Sequence, residues 1–145
     1  MDNTNGPVVT LNVAESWSRL RGQELGRLVT HVGGVIDIFP VNYVVDADEL
    51  VFRTAEGSKL LELTINDEVL FEVDDHTDAD AWSVVVRGTA RRLETDDEVQ
   101  HADSLPLKPW IPTLKHNYVR IAPHEVTGRA FRRDEEPERD GVQPY

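Results

Sequence analysis

Two cations and two hydroxyls collect within the stretch Phe52-Arg53-Thr54-Ala55-Glu56-Gly57-Ser58-Lys59. Arg53 offers a planar fork that matches two phosphate oxygens, Lys59 a point charge, and Thr54 and Ser58 one hydroxyl donor each. Leu50, Val51 and Phe52 read as a short buried strand, Gly57 allows a sharp turn, and Ser58 is a preferred N-cap for the run Lys59-Leu60-Leu61-Glu62-Leu63. A helix beginning there would present free N–H groups and the positive end of its dipole to an anion, so the chemistry the stretch suits is binding of a phosphate monoester. It lacks the glycines and the Gly-Lys-Ser/Thr ending of a P-loop, so the competing reading is an ordinary Ser-capped helix with two solvated cations.

The wider composition narrows the context. With 27 acidic and 15 basic residues among 145, the formal net charge is −12, which opposes nucleic acid and anionic membrane as partners. Lysine occurs only at Lys59, Lys108 and Lys115, which makes the one beside Ser58 more telling. Cysteine is absent, which excludes disulfides and thiolate metal sites and fits a reducing cytosol. No apolar run approaches a membrane span, and Met1 to Asn5 lacks the basic start and apolar core of a signal peptide, so the expectation is a soluble, cytoplasmic protein.

The elements that must position the candidate residues follow from periodicity. Residues 1–9 read as a flexible leader. Asn12 with Glu15 forms a capping-box pattern ahead of Val13, Trp17 and Leu20, which predicts a helix over about 12–22. Leu28–His31 and Val35–Phe39 read as strands joined at Gly33-Gly34, with Pro40 marking a bulge or an edge and Val41–Val45 continuing extended. After the short helix, Val69, Phe71 and Val73 alternate with polar neighbours as a half-buried strand does. Residues 74–80 read as an acidic loop, and Trp82–Leu93 as the longest strand, with Gly88 at a bulge or close backbone approach. Thr95 with Glu98 starts a further helix, and Leu105 to Pro112 is an extended loop because three prolines remove donors. Tyr118–Ala122 and Val126–Phe131 read as two last strands, and 134–145 as a disordered acidic tail behind a single domain spanning 1–133. The sum is a mainly β fold of six or seven strands with two or three short helices. Connections too short for parallel crossovers make an antiparallel, Greek-key-like barrel its natural form.

Four segments in order, Phe39-Pro40-Val41-Asn42-Tyr43, Phe52 to Leu60, Phe71-Glu72-Val73-Asp74 and Trp82 to Gly88, resemble the pyridoxamine 5′-phosphate oxidase-like flavoproteins. The likeness covers roughly residues 12–131 and implies a split β-barrel, usually a homodimer, with one FMN in each of two clefts at the subunit interface. It places Arg53 and Thr54 beside the FMN phosphate and ribityl chain and Ser58 and Lys59 at the phosphate-binding turn. Pro40, Val41 and Asn42 fall on the strand along the isoalloxazine ring, and Trp82, Ser83 and Val84 at the strand entry that closes the ring site. The activity implied is a flavin-dependent oxidoreductase acting on a small molecule, since the flavin carries the redox chemistry and the protein holds and orients it. The true oxidases of pyridoxamine phosphate carry a C-terminal Arg-x-His element; Val126 to Arg133 has no such His, which speaks against vitamin B6 oxidation. A flavin carrier or sensor without turnover, and relatives that bind the deazaflavin F420 or haem, are the alternatives.

Other clusters read as ordinary. The five histidines (His31, His76, His101, His116 and His124) include no i, i+4 pair, so surface and capping roles are expected and no metal site. Asp74 to Asp80 lacks the glycine and terminal glutamate of an EF-hand. Trp110, on the proline-rich loop, is the aromatic placed to reach a partner subunit or roof a flavin.

Overall fold

The computed structural model describes residues 8–55, 57–107 and 117–132, with Ser58 described in its backbone alone. Seven strands and three helices follow in the order β1 (Val8–Leu11), α1 (Val13–Arg21), β2 (Leu25–Val32), β3 (Val35–Asp46), β4 (Glu49–Thr54), α2 (Ser58–Ile65), β5 (Glu68–His76), β6 (Asp80–Arg92), α3 (Asp96–Asp103) and β7 (Asn117–Arg132). All pairings are antiparallel, in the order β1-β7-β4-β3-β2-β5-β6, and β6 returns to pair with β7. The six strands from β2 to β7 therefore close on themselves, with β1 attached outside the far half of β7: a split β-barrel.

The turns carry the residues their geometry demands. Gly33 and Gly34 join β2 to β3 at φ 58° and 81°. Ala47 and Asp48 join β3 to β4 at φ 49° and 61°, the twist that suits a two-residue hairpin. Asn12 caps α1 in a complete capping box, and Thr95 caps α3 by accepting from the Glu98 N–H.

Alternating residues of the strands fill the barrel: Leu28, Val41, Tyr43, Phe52, Phe71, Val73, Val84, Val86 and Ile121 share one buried cluster. Helix α1 plugs one end with Trp17 and Leu20, and the Tyr43 hydroxyl donates to the Leu20 carbonyl at 2.6 Å. Helix α3 covers the outside, where Ala102 and Val99 meet Val51 and Tyr118.

Three segments depart from the sequence expectation. Val8 and Val9, placed in the leader, form half of β1 through pairing with Phe131 and Ala130. Asp74, Asp75 and His76 extend β5 opposite Ser83, Trp82 and Ala81, which leaves only residues 77–79 as the turn. The last two strands are one, β7, running through Pro123. Arg87 pairs with Glu125 and Gly88 with Pro123, so His124 is the extra residue of a bulge, and the missing proline N–H falls where the ladder is already interrupted. The leader to residue 7, the loop 108–116 with Trp110, and the tail from 133 lie outside the described residues.

Candidate functional site

The end of β4 delivers Arg53 and Thr54, which pair across the sheet with Tyr118 and Asn117. The Arg53 guanidinium lies 5.4 Å from the centre of the Tyr118 ring. Burial, and a hydrogen bond to Asp103 at 2.5 Å, push the Tyr118 hydroxyl up to about 12, while the Arg53 charge opposes the shift. Thr54 and Asn117 are both buried, and the Thr54 hydroxyl donates to the Ala55 carbonyl at 3.1 Å.

Helix α2 begins at Ser58, one residue earlier than a Ser58 cap would place it, because Gly57 occupies the cap position. Glycine has no side chain to offer, and the first helical bond runs from the Leu61 N–H to the Gly57 carbonyl at 3.1 Å. The N–H groups of Ser58, Lys59 and Leu60 precede that bond and have no acceptor within the helix. The other two helices satisfy this need with Asn12 and Thr95; α2 has no side-chain cap.

Lys59 connects this corner to the next strand, its Nζ lying 5.6 Å from the centre of the Phe39 ring on β3. Beyond Phe39, Pro40 pairs with Arg27 and Val41 with Gly26 on β2, whereas the ladder to β4 starts only at Tyr43. The stretch Phe39–Asn42 thus has one edge without a described strand, which is where a proline is tolerated. Pro40 is exposed, Val41 turns its side chain into the core, and Asn42 donates from Nδ2 to the Glu24 carbonyl at 3.3 Å. At Val41 only the backbone can meet a ligand.

Trp82, Ser83 and Val84 are elsewhere. Trp82 pairs with Ala130 and Arg53 with Tyr118, which puts the two twelve positions apart on β7, roughly 40 Å along an extended strand. Val84 is in the core; Trp82 is half-buried, with the Arg19 guanidinium 5.5 Å from its ring centre. The ring borders an open cavity of about 720 Å³ lined also by Arg19, Gln23, His76 and Phe131. A single protomer therefore sets Arg53, Thr54, Ser58 and Lys59 along the β4–α2 junction, with Lys59 reaching Phe39 on the strand that carries Pro40–Asn42, and pairs Trp82–Val84 with the far end of β7.

Chemically the corner offers the cations Arg53 and Lys59 and the first N–H groups of a helix that has no side-chain cap. That donor set fits a phosphate and has no thiolate or imidazole ligand. Among the described residues no three His, Asp or Glu side chains are grouped to hold a metal. Phe39, Tyr118 and Asn117 join the corner without having been marked in the sequence as site residues. Phe39 and Tyr118 read there as strand or core residues, and nothing local signals that a cation will lie against each.

Comparison with known proteins identifies the family and the fold. The family model for pyridoxamine 5′-phosphate oxidase matches residues 12–130. An uncharacterised protein of Mycobacterium tuberculosis is 46% identical over 96 residues, which are 66% of this chain and 87% of that protein. A crystal structure from Corynebacterium glutamicum that bears the pyridoxamine 5′-phosphate oxidase name is 51% identical, covers 92% of this chain and 100% of its own, and superposes with a TM-score of 0.85. The FAD-binding protein of Mycobacterium smegmatis is 43% identical with a TM-score of 0.74, covering 85% of this chain and 98% of its own. With the barrel, its strand order and a match over most of its length in agreement, the chain belongs to the pyridoxamine 5′-phosphate oxidase family.

Proposed function

We propose that the protein binds a flavin nucleotide, FMN, through its phosphate at the β4–α2 corner, and works as a homodimer that oxidises or reduces a small molecule. The observation that carries this reading is the uncapped start of α2 between Arg53 and Lys59. A phosphate monoester placed there accepts from the helical N–H groups and is neutralised by both cations. The bound flavin would supply the electron-transfer chemistry. The chain's own part is to hold the phosphate with Arg53, Ser58 and Lys59, and to present the backbone of Pro40, Val41 and Asn42 to the ring's polar edge. Thr54 would flank the phosphate and ribityl chain at the strand end, its hydroxyl bonded to the Ala55 carbonyl.

Two observations support the dimer. Trp82–Val84 pair with the far end of β7 from the Arg53 corner of their own protomer, an arrangement that a second copy would complete. In addition Ile36, Ile38, Leu61 and Ile65 are each more than 60% exposed, an apolar surface that suits burial against another copy.

The name of the Mycobacterium smegmatis relative favours FAD as a second reading, since its pyrophosphate would use the same cations. Mass identification of the ligand that copurifies separates FMN from FAD, F420 and haem. Saturating FMN, at a hundred times its dissociation constant, is expected to add about 2.7 kcal/mol of stability. Colourless protein that shows no thermal shift with either FMN or FAD would overturn the flavin reading. Stopped-flow mixing of the loaded protein with NADH, NADPH or reduced deazaflavin then distinguishes an oxidoreductase, which shows saturable reduction, from a carrier or sensor, which does not.

A further inference from the structure

Arg53 and Tyr118 are direct partners across β4 and β7, and both stand on the outer face of the barrel. Leu50 and Phe52 of β4, and Val119 and Ile121 of β7, point into the main core, whereas Val51 and Tyr118 belong to the smaller cluster under α3. Side chains alternate along a strand, so Arg53 shares the face of Val51. Opposed residues of an antiparallel pair stand close enough to touch, and here the guanidinium carbon lies 5.4 Å from the centre of the Tyr118 ring.

Helix α3 holds the other end of the same side chain. The Tyr118 hydroxyl donates to Asp103 Oδ1 at 2.5 Å, and Tyr118 is only 5% exposed. A buried phenol needs an acceptor, and a carboxylate is the strongest that a side chain offers. Donation to an anion also polarises the phenol and enriches the ring face to which a guanidinium is drawn. The helix that supplies this carboxylate is seated by contacts of its own. Arg91 Nη1 meets Glu98 Oε2 at 2.6 Å, His101 Nε2 lies 2.8 Å from Asp46 Oδ2, and Val99 and Ala102 pack in the cluster of Val51 and Tyr118. Loss of the Asp103 carboxylate alone therefore leaves α3 in place.

We propose that Asp103 and Tyr118 are a positioning pair for Arg53: the carboxylate of α3 holds the phenol, the ring holds the guanidinium, and the charge is fixed at the strand end shortly before α2 begins. Both residues act through Arg53. Where Arg53 grips a phosphate, an assignment that rests on the flavin reading, the pair sets how sharply a phosphate ester is told from the same molecule ending in a hydroxyl. Helix α3, which lies outside the barrel, thereby belongs to the phosphate site.

Two arms test the pair. The first uses ligand-free protein and follows the Arg53 Nε–Hε resonance by NMR, assigned through its disappearance in Arg53→Lys. In the wild type the Tyr118 ring current is expected to displace that proton from the shift of a solvent-exposed arginine. Asp103→Ala is expected to move it back toward that shift, while Asp103→Asn, whose amide oxygen still accepts, stays nearer the wild type. An Arg53 resonance that is the same in the wild type and Asp103→Ala would overturn the pair. The second arm compares affinities for FMN and riboflavin. The preference for FMN is expected to fall roughly two- to tenfold in Asp103→Ala and in Tyr118→Phe, the span that one hydrogen bond covers. The double variant is expected to lose no more than either single one, since both lesions remove the same bond, and Asp103→Asn to keep most of the preference. A lesion of the fold alone weakens both ligands alike, so equal losses for FMN and riboflavin, or additive losses in the double variant, would overturn the pair. A wild type with no preference for FMN, whose Arg53 resonance still responds to Asp103→Ala, would sink the flavin reading and leave the pair standing.

Discussion

The Nζ of Lys59 lies 5.6 Å from the centre of the Phe39 ring, which ties the first turn of α2 to the strand carrying Pro40. A cation held over an aromatic face is attracted to it and gives up part of its freedom before any ligand arrives. Replacing Lys59 and Arg53 together by Ala is expected to weaken FMN by more than about 2 kcal/mol, as two charge-assisted bonds are lost. Riboflavin, which has no phosphate, is expected to lose far less. Titration of both ligands by flavin fluorescence checks the difference; equal losses would move the phosphate elsewhere.

The pairing of Arg53 with Tyr118 can be read optically. Tyr118 titrates near 12, raised mainly by burial and then by Asp103, so removing the opposing charge with Arg53→Ala is expected to raise it further. A raised phenol stabilises the fold fully below the ordinary tyrosine pKa and loses that contribution as pH climbs toward its own value. Alkaline unfolding is therefore expected to steepen between about pH 10 and 12, and less so in Tyr118→Phe. Ultraviolet difference spectra and thermal melts follow the two effects.

Gly88 makes the β6–β7 bulge possible. A Cβ there would stand 2.6 Å from the Ala122 carbonyl oxygen and 2.9 Å from Ile121 Cγ2. Since the first of these is backbone, Gly88→Ala is expected to cost roughly 1–3 kcal/mol, as overpacking typically does. Denaturant unfolding should show the loss, with the slope unchanged.

The apolar surface offers a test of assembly. Ile38→Glu places a charge on an exposed residue of β3, so it is expected to leave the fold intact while dissociating the proposed dimer. Sedimentation velocity reads the mass, and far-ultraviolet circular dichroism confirms the strands.

Much of this architecture is legible in local chemistry. Asn12 and Glu15, the Gly33-Gly34 pair, and the alternation of Val69, Phe71 and Val73 each declare their element because the signal lies within a few residues. The continuity of β7 is different: Pro123 looks like a break until His124 is seen to bulge opposite Arg87 and Gly88, a feature owned by two strands together. Strand β1 exists through Phe131, and the charged end of β5 through Ser83 and Trp82, so neither is marked by its own composition. At the corner, residue types announced Arg53 and Lys59, whereas the capping role passed to Gly57. The contacts with Phe39 and Tyr118 depend on long-range pairing that no short window contains.

In the proposed dimer, the length of β7 sets who can complement whom. Because Arg53 on β4 and Trp82 on β6 pair with opposite ends of β7, damage at one of the two places leaves the other sound. Coexpressing a chain that carries Arg53→Ala and Lys59→Ala with one that carries Trp82→Ala should yield mixed pairs in which one cleft inherits both defects and the other inherits neither. A half-occupied hybrid, assembled from two inactive parents, would be the signature of that arrangement.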